Sequence, residues 1–193
     1  LARPLPRTTA AMLELDHLQR TASPLGPQLR GKMRWVAARA NRCAYAEAYA
    51  AADLRRAAVS AAAIEALAGN HAGLPPKERA ALAFARKMTL AAGTVTDEEV
   101  ARLIEDYGEK QVVAMVLLLA YANFQDRLIL TLGLEVERGG PLPPLPVRFV
   151  KGPSKDRPAA PARKPPEGRP EAPKVGRIAD PEWSALDFAR LQK

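Results

Sequence analysis

The sequence predicts an all-α domain of about seven helices, followed by a proline-rich tail. Three observations carry that prediction. Alanine and leucine dominate as far as Leu134, β-branched residues do not cluster, and no stretch alternates with a period of two. Helix start and stop signals recur along the same stretch. After Gly139-Gly140 the composition changes to Pro-Leu-Pro-Pro-Leu-Pro and then to a mixture of Pro, Lys, Arg, Ala and Glu. That mixture has too little apolar area to offset the entropy of ordering it.

Each element has its own local reason. Thr8 and Thr9 are expected to cap a first helix running to about Arg20, with Ala11, Met12, Leu15 and Leu18 as its apolar stripe. Ser23-Pro24 and Gly26-Pro27 force a turn, and Pro27 opens a second helix with Leu29, Met33, Val36, Ala37 and Ala40 on one face. Asn41 marks a break, after which Cys43 to Ala57 form the third helix. Ser60 caps a short fourth helix through Ala68, which Gly69-Asn70 is expected to end in a left-handed conformation. Pro75-Pro76 starts the fifth, to about Ala91, with Ala80, Ala83, Phe84 and Met88 inward. Thr96-Asp97-Glu98-Glu99 spells a capping box, in which the threonine oxygen takes the Glu99 amide while the glutamate reaches back. The sixth helix ends at Tyr107-Gly108. Glu109 opens a long seventh helix that is apolar on every side from Val112 to Ala122. Such a helix needs neighbours all round, so part of its surface is expected to meet another subunit.

The expected domains are a helical domain over 1–139, a Pro/Lys/Arg-rich linker over 140–179 and the start of a further helical element over 180–193. The last opens with Asp180-Pro181 and carries Trp183, Leu186 and Leu191. Residues 1–139 hold 18 basic against 15 acidic residues, whereas 140–193 hold 11 against 6 together with 12 of the 18 prolines. The positive excess therefore reads as a solvated spacer and speaks against nucleic acid as a partner. The run from Val112 to Ala122 falls short of the roughly 20 residues that span a bilayer, so no membrane partner is expected. No charged-then-apolar leader precedes the first helix. A single cysteine closes no intramolecular disulfide, so a reducing, cytoplasmic setting is the default expectation.

Cys43 is the first candidate for chemistry. In the first turn of a helix, with Asn41 as the cap and Arg39 and Arg42 nearby, its thiol pKa is expected to fall. The other reading is a small buried hydrophobe in a helical core. Glu47 lies one turn later on the same face, either as a proton acceptor for the thiol or as an ion-pair partner of Arg39 or Arg42. Tyr45 and Tyr49 read as packing residues with hydrogen-bonded hydroxyls. Asn123 and Arg127 read as a buried polar tie between helices. His17 and His71 stand isolated, so no metal is expected, and no cofactor motif occurs.

Several segments resemble a known family. Leu29-Arg30-Gly31, Val36-Ala37-Ala38, Asn41-Arg42-Cys43-Ala44-Tyr45-Ala46 and Leu54-Arg55-Arg56 are similar to the carboxymuconolactone decarboxylase and alkylhydroperoxidase D (AhpD) superfamily. Glu78-Arg79-Ala80-Ala81-Leu82-Ala83-Phe84-Ala85-Arg86-Lys87, Val95 to Val100, and Asn123-Phe124 with Arg127 resemble its peroxidase-related branch. The resemblance covers about Pro6 to Glu137. It implies an AhpD-like helical bundle that assembles as trimers, hexamers or larger rings. It also implies a Cys-x-x-Cys pair, a histidine four residues after it and a glutamate twelve before it, which together reduce peroxide through a disulfide. Here Cys43 matches the first cysteine, while Ala46, Ala50 and Gly31 stand at the other three positions. The decarboxylase branch relies on a histidine of the same region, which Ala50 replaces.

The leading expectation is accordingly a carboxymuconolactone decarboxylase-like domain without two-cysteine peroxidase chemistry. It would serve in oligomerisation or ligand binding, or as one copy of a tandem protein. The alternative is a one-cysteine peroxidase or thiol-dependent antioxidant enzyme with Cys43 and Glu47 as its catalytic residues.

Overall fold

The computed structural model describes residues 6–144. It contains seven α-helices and no strand among the described residues. They are α1 (Pro6–Thr21), α2 (Pro27–Ala40), α3 (Ala44–Arg56), α4 (Ala61–Glu65), α5 (Pro76–Ala91), α6 (Asp97–Tyr107) and α7 (Glu109–Leu132). Single 3-10 turns extend α4 over Ala66–Ala68 and α5 over Ala92–Thr94. The all-α reading of the sequence therefore stands. The linker expected over 140–179 begins within the described residues, and the rest of it, with the helical start at 180–193, lies outside them.

The start signals act as their chemistry requires. Ser60 Oγ accepts the Ala63 amide at 3.2 Å. At α6 both arms of the capping box form, with Thr96 N–H donating to Glu99 Oε2 at 2.9 Å and Glu99 N–H to Thr96 Oγ1 at 3.4 Å. Glu99 also accepts from Lys87 Nζ of α5 at 2.7 Å, so one side chain caps α6 and ties it to its neighbour. Thr8 and Thr9 do not cap α1, which begins at Pro6 and takes both into its first turn. Gly69 is not left-handed either; its φ is −87°, and the positive φ of that loop falls on His71 at 61°. His71 Nε2 reaches the Leu67 carbonyl at 2.8 Å, a local hydrogen bond that holds the turn.

Two helix ends carry a signal the sequence disguises. At the end of α2, Cys43 N–H donates to Ala38 O and Arg42 N–H to Arg39 O, the paired bonds of a Schellman motif. Val59 N–H to Leu54 O and Ala58 N–H to Arg55 O repeat the motif after α3, and Leu134 with Gly133 repeats it after α7. The left-handed residue is Gly133 in the last case but Arg42 (φ 58°) and Ala58 (φ 61°) in the other two. There a Cβ is tolerated at a cost of about 1 kcal/mol.

The central helix is α2, which packs against α3, α5 and α7. Gly31, Met33, Trp35, Val36, Ala37 and Ala38 are all buried, so more than one face is enclosed. The small residues among them let neighbouring helices approach closely. Lys32 pairs with Glu78 across the α2/α5 contact. In α5 the buried face is Ala81, Leu82, Phe84 and Ala85, with Ala80 and Met88 partly buried; Ala83, expected inward, is exposed. In α7, Val112, Met115, Leu118 and Leu119 enter the core while Val113, Val116, Leu117 and Phe124 stay exposed. At 24 residues α7 is long and apolar enough, by length and composition, to cross a membrane, so the shorter run counted in the sequence understates it.

Of the apolar stripe expected on the first helix, only Met12 turns inward. Leu15 and Leu18 are exposed at 40% and 48%, and Ala11 is exposed too, while Met12, Asp16 and Arg20 turn inward. Electrostatics explains the rotation. Arg20 Nη1 reaches both carboxylate oxygens of Asp53 on α3, at 3.0 and 2.8 Å, and Arg30 of α2 donates to the carbonyls of Gln19 and Arg20. A helix anchored through its polar side leaves its leucines outside.

Candidate functional site

Cys43 sits at the junction of α2 and α3, and its main chain serves both helices. Its N–H closes the motif that ends α2, and its carbonyl accepts the Glu47 amide at 3.0 Å as α3 begins. The side chain is fully buried with Ala38 and Ala46, against Tyr45 and Ile129. The contact with Ala38 is the apolar touch that usually accompanies this kind of helix end. Burial pushes the thiol pKa up. The Ala46 amide pulls the other way and the nearby Asp126 carboxylate adds to the rise, so burial prevails. The fall in pKa expected from the helix dipole does not occur, because the thiol is removed from water, where a thiolate would be solvated.

Glu47 faces a different partner. Its carboxylate accepts from Arg39 Nη1 at 3.1 Å, and that guanidinium also lies 5.3 Å from the centre of the Trp35 ring. The ion-pair reading of Glu47 is the one this geometry matches. Tyr45 and Tyr49 stack at 4.6 Å with their planes 19° apart, and both hydroxyls donate to Glu137, at 3.2 and 2.8 Å. Leu142 N–H then donates to Tyr49 Oη at 3.2 Å, which draws the segment after α7 against α3. Burial, and after it Tyr49 and Glu137, lift the Tyr45 phenol well above its ordinary range.

The buried polar tie exists, with a different membership. Asn41 Nδ2 donates at 2.8 Å to Asn123 Oδ1 and at 2.8 Å to Asp126 Oδ2. Asn123 donates back to the Leu119 carbonyl at 2.8 Å, while Arg127 is exposed and takes no part in it. Asp126 is 1% exposed, and burial raises its pKa although the Asn41 bond and the Arg34 charge oppose the rise. The signal for Asp126 was present in the sequence as a lone carboxylate at the end of the most apolar run.

The positions that the resemblance assigns to redox chemistry are packed with small groups. Ala46 and Ala50 are buried, and a Cβ built at Gly31 would stand 2.7 Å from Leu54 Cδ2 and 3.0 Å from its Cγ. Leu54 is itself fully buried. A side chain at the glutamate position therefore requires the Leu54 side chain to shift.

Beside these positions opens a cavity of about 850 Å³ between α1, α2, α3 and α7. Gly31 and Ala46 line it, and so do Arg20, Arg30, Arg34, Arg56, Asp16 and Asp53. Asp53 binds Arg20 and, at 2.6 Å, Arg56, and these cations hold its carboxyl below the usual range against the opposing effect of burial. Asp16 binds Arg20 at 2.8 Å and faces Arg34 at 3.9 Å. His17 lines the same cavity, far in sequence from His71. The sequence did not mark these charged groups as a cluster, because they are spread over α1, α2 and α3 and only packing assembles them.

Compared by sequence, the chain matches no protein-family model and no curated protein. Compared by structure, it is similar to a peroxidase-related protein from Silicibacter sp. TM1040, at a TM-score of 0.63 and 19% identity over 67% of this chain and 70% of that one. It is likewise similar to a putative antioxidant defence protein AhpD from Agrobacterium tumefaciens (0.62, 18%, 69% and 93%). A third similar structure is the debrominase Bmp8 in complex with 2,3,4-tribromopyrrole (0.63, 18%, 69% and 72%). The described residues thus have the AhpD-like helical fold.

Proposed function

We propose that this chain uses the AhpD-like fold as a self-associating, ligand-binding domain rather than as a two-cysteine peroxidase. The observation that carries this reading is the state of Cys43. The thiol is enclosed by Ala38 and Ala46, its pKa is raised, and the neighbouring positions that would supply a second thiol, an imidazole and an acid are Ala46, Ala50 and Gly31. A peroxidatic cysteine works as an accessible thiolate, and this environment disfavours both accessibility and charge. The large cavity beside it supports retained binding, as does the likeness to a debrominase structure that holds a brominated pyrrole. Peroxide consumption with an external thiol as reductant is expected to be the same for the wild type and Cys43→Ser. A rate that falls with Cys43→Ser would establish the one-cysteine enzyme instead.

Self-association rests on α7. Val113, Val116, Leu117 and Phe124 recur at helical spacing on its outer face, and Leu117 is 57% exposed. A continuous apolar stripe of this kind on a soluble subunit is buried by a partner. The partner we infer is a second copy, in a trimer or hexamer or within a longer tandem chain, in a reducing cytoplasmic setting. Light scattering is expected to find an oligomer for the wild type and a monomer for Leu117→Glu. An unchanged mass for the variant would remove α7 from the interface.

A further inference from the structure

The cavity has two unlike ends, set along α3. At one, Arg20, Arg34 and Arg56 are balanced by Asp16 and Asp53. Arg30 differs from them. Its Nη1 donates to the carbonyls of Gln19 at 2.9 Å and Arg20 at 3.1 Å, both neutral acceptors, and among the described residues no carboxylate lies within ion-pair distance of it. Burial, and after it the adjacent Arg20 charge, depress its pKa against the weaker attraction of Asp53 and Asp16, so an anion in direct contact would relieve a crowded cation that remains charged regardless. At the other end stands the Tyr45–Tyr49 stack. Tyr49 and Asp53 are four residues apart on α3, about 6 Å along its axis. Met12, Ile129, Leu142 and Pro143 add apolar surface to the lining, and the Glu137 carboxylate, which also lines the cavity, is held by the two phenols.

These ends make different demands on an occupant. A small inorganic anion would satisfy Arg30 and leave most of 850 Å³ unfilled. A neutral apolar molecule would fill the space and leave the guanidinium facing it without an ion-pair partner of its own, with Asp53 and Asp16 acting on it only from beyond contact distance. We propose that the cavity binds a monocarboxylic acid with an apolar, ring-bearing body, its carboxylate on Arg30 and its ring beside Tyr49. This inference rests on the reading of the domain as ligand-binding and names the chemical class of its ligand.

The test titrates the full chain with 2-naphthoate and with its neutral methyl ester, by calorimetry. The wild type is expected to bind the acid about tenfold more tightly than the ester, the factor one charge-assisted hydrogen bond supplies. Arg30→Gln is expected to abolish that preference and Arg30→Lys to keep part of it, while Tyr49→Leu weakens both ligands alike. Equal binding of acid and ester by the wild type, no binding of the acid, or an intact preference in Arg30→Gln would each overturn the proposal. Should Arg30→Gln fail to fold by circular dichroism, the wild-type comparison still decides. The peroxide assay fails separately: turnover dependent on Cys43 would refute the binding-domain reading, whereas loss of acid preference without turnover refutes the ligand class.

Discussion

Replacing Asn41 by leucine is expected to destabilise the domain by about 3 kcal/mol at pH 8, because it leaves a buried carboxylate without its donor. Asn41 closes α2, and its one amide nitrogen serves both Asn123 and Asp126 of α7. The loss should depend on pH, with a sign that follows from Asp126. Burial holds the carboxyl above its ordinary range, so the folded state binds a proton more readily than the unfolded chain does. The stability this group contributes is complete below the unfolded pKa and is lost as pH rises through the folded one. Removing the Asn41 bond takes away an influence that lowers the folded pKa and so drives it further up. The deficit of Asn41→Leu is therefore greatest at alkaline pH and shrinks as pH falls through the folded value. Urea unfolding at pH 5 and pH 8 measures it. A deficit independent of pH would show that Asp126 is not the group responsible. Asp126→Asn in the Asn41→Leu background is expected to remove the pH dependence.

Gly31→Glu, which introduces the acid expected by the resemblance, is predicted to cost about 1 kcal/mol. Overpacking of a filled core costs roughly 1–3 kcal/mol, offset by about 1 kcal/mol from removing a glycine inside a helix. The opposing atoms are the side-chain end of Leu54, which is fully buried and must shift to admit a Cβ. Leu54→Ala should destabilise on its own, yet the double variant should lose less than the sum of the two, since the cavity made by one change receives the Cβ of the other. The check is chemical denaturation of all four proteins. Additive losses would mean that Leu54 is not what excludes a side chain at Gly31. The same contact ties the identity of residue 31 to the packing of the fold. Substituting glutamate, cysteine and histidine at Gly31, Ala46 and Ala50 is thus more than a change of three side chains in an open site.

Several features were legible because their physics is local. The capping box at Thr96, the Ser60 cap and the prolines that open α2 and α5 each act on the main chain within a few residues. The polar role of Tyr45 and Tyr49 was legible for a similar reason, since a phenol in a packed helix needs an acceptor whatever its identity. Glu137 as that acceptor, eighty-eight residues from Tyr49, was not legible. Neither were the left-handed Arg42 and Ala58, where the usual glycine is absent and the surrounding packing imposes the conformation. The orientation of α1 was misread because its leucines outweigh its charges in any count of apolar residues, while Asp53 and Arg30, which hold it, lie on other helices.

For this protein the amino-acid order by itself determined which stretches are helical, where most of them start and stop, and that Gly31, Ala46 and Ala50 stand where the resemblance would place an acid, a second cysteine and a histidine. Those are properties of short windows, governed by main-chain hydrogen bonding within a turn and by residue identity. Tertiary structure alone decided that Cys43 is buried at a helix junction, that Asp126 depends on Asn41, and that arginines from three helices meet two aspartates around one cavity. Burial and electrostatic energy depend on which surfaces face one another, and that relation exists only once the helices have packed.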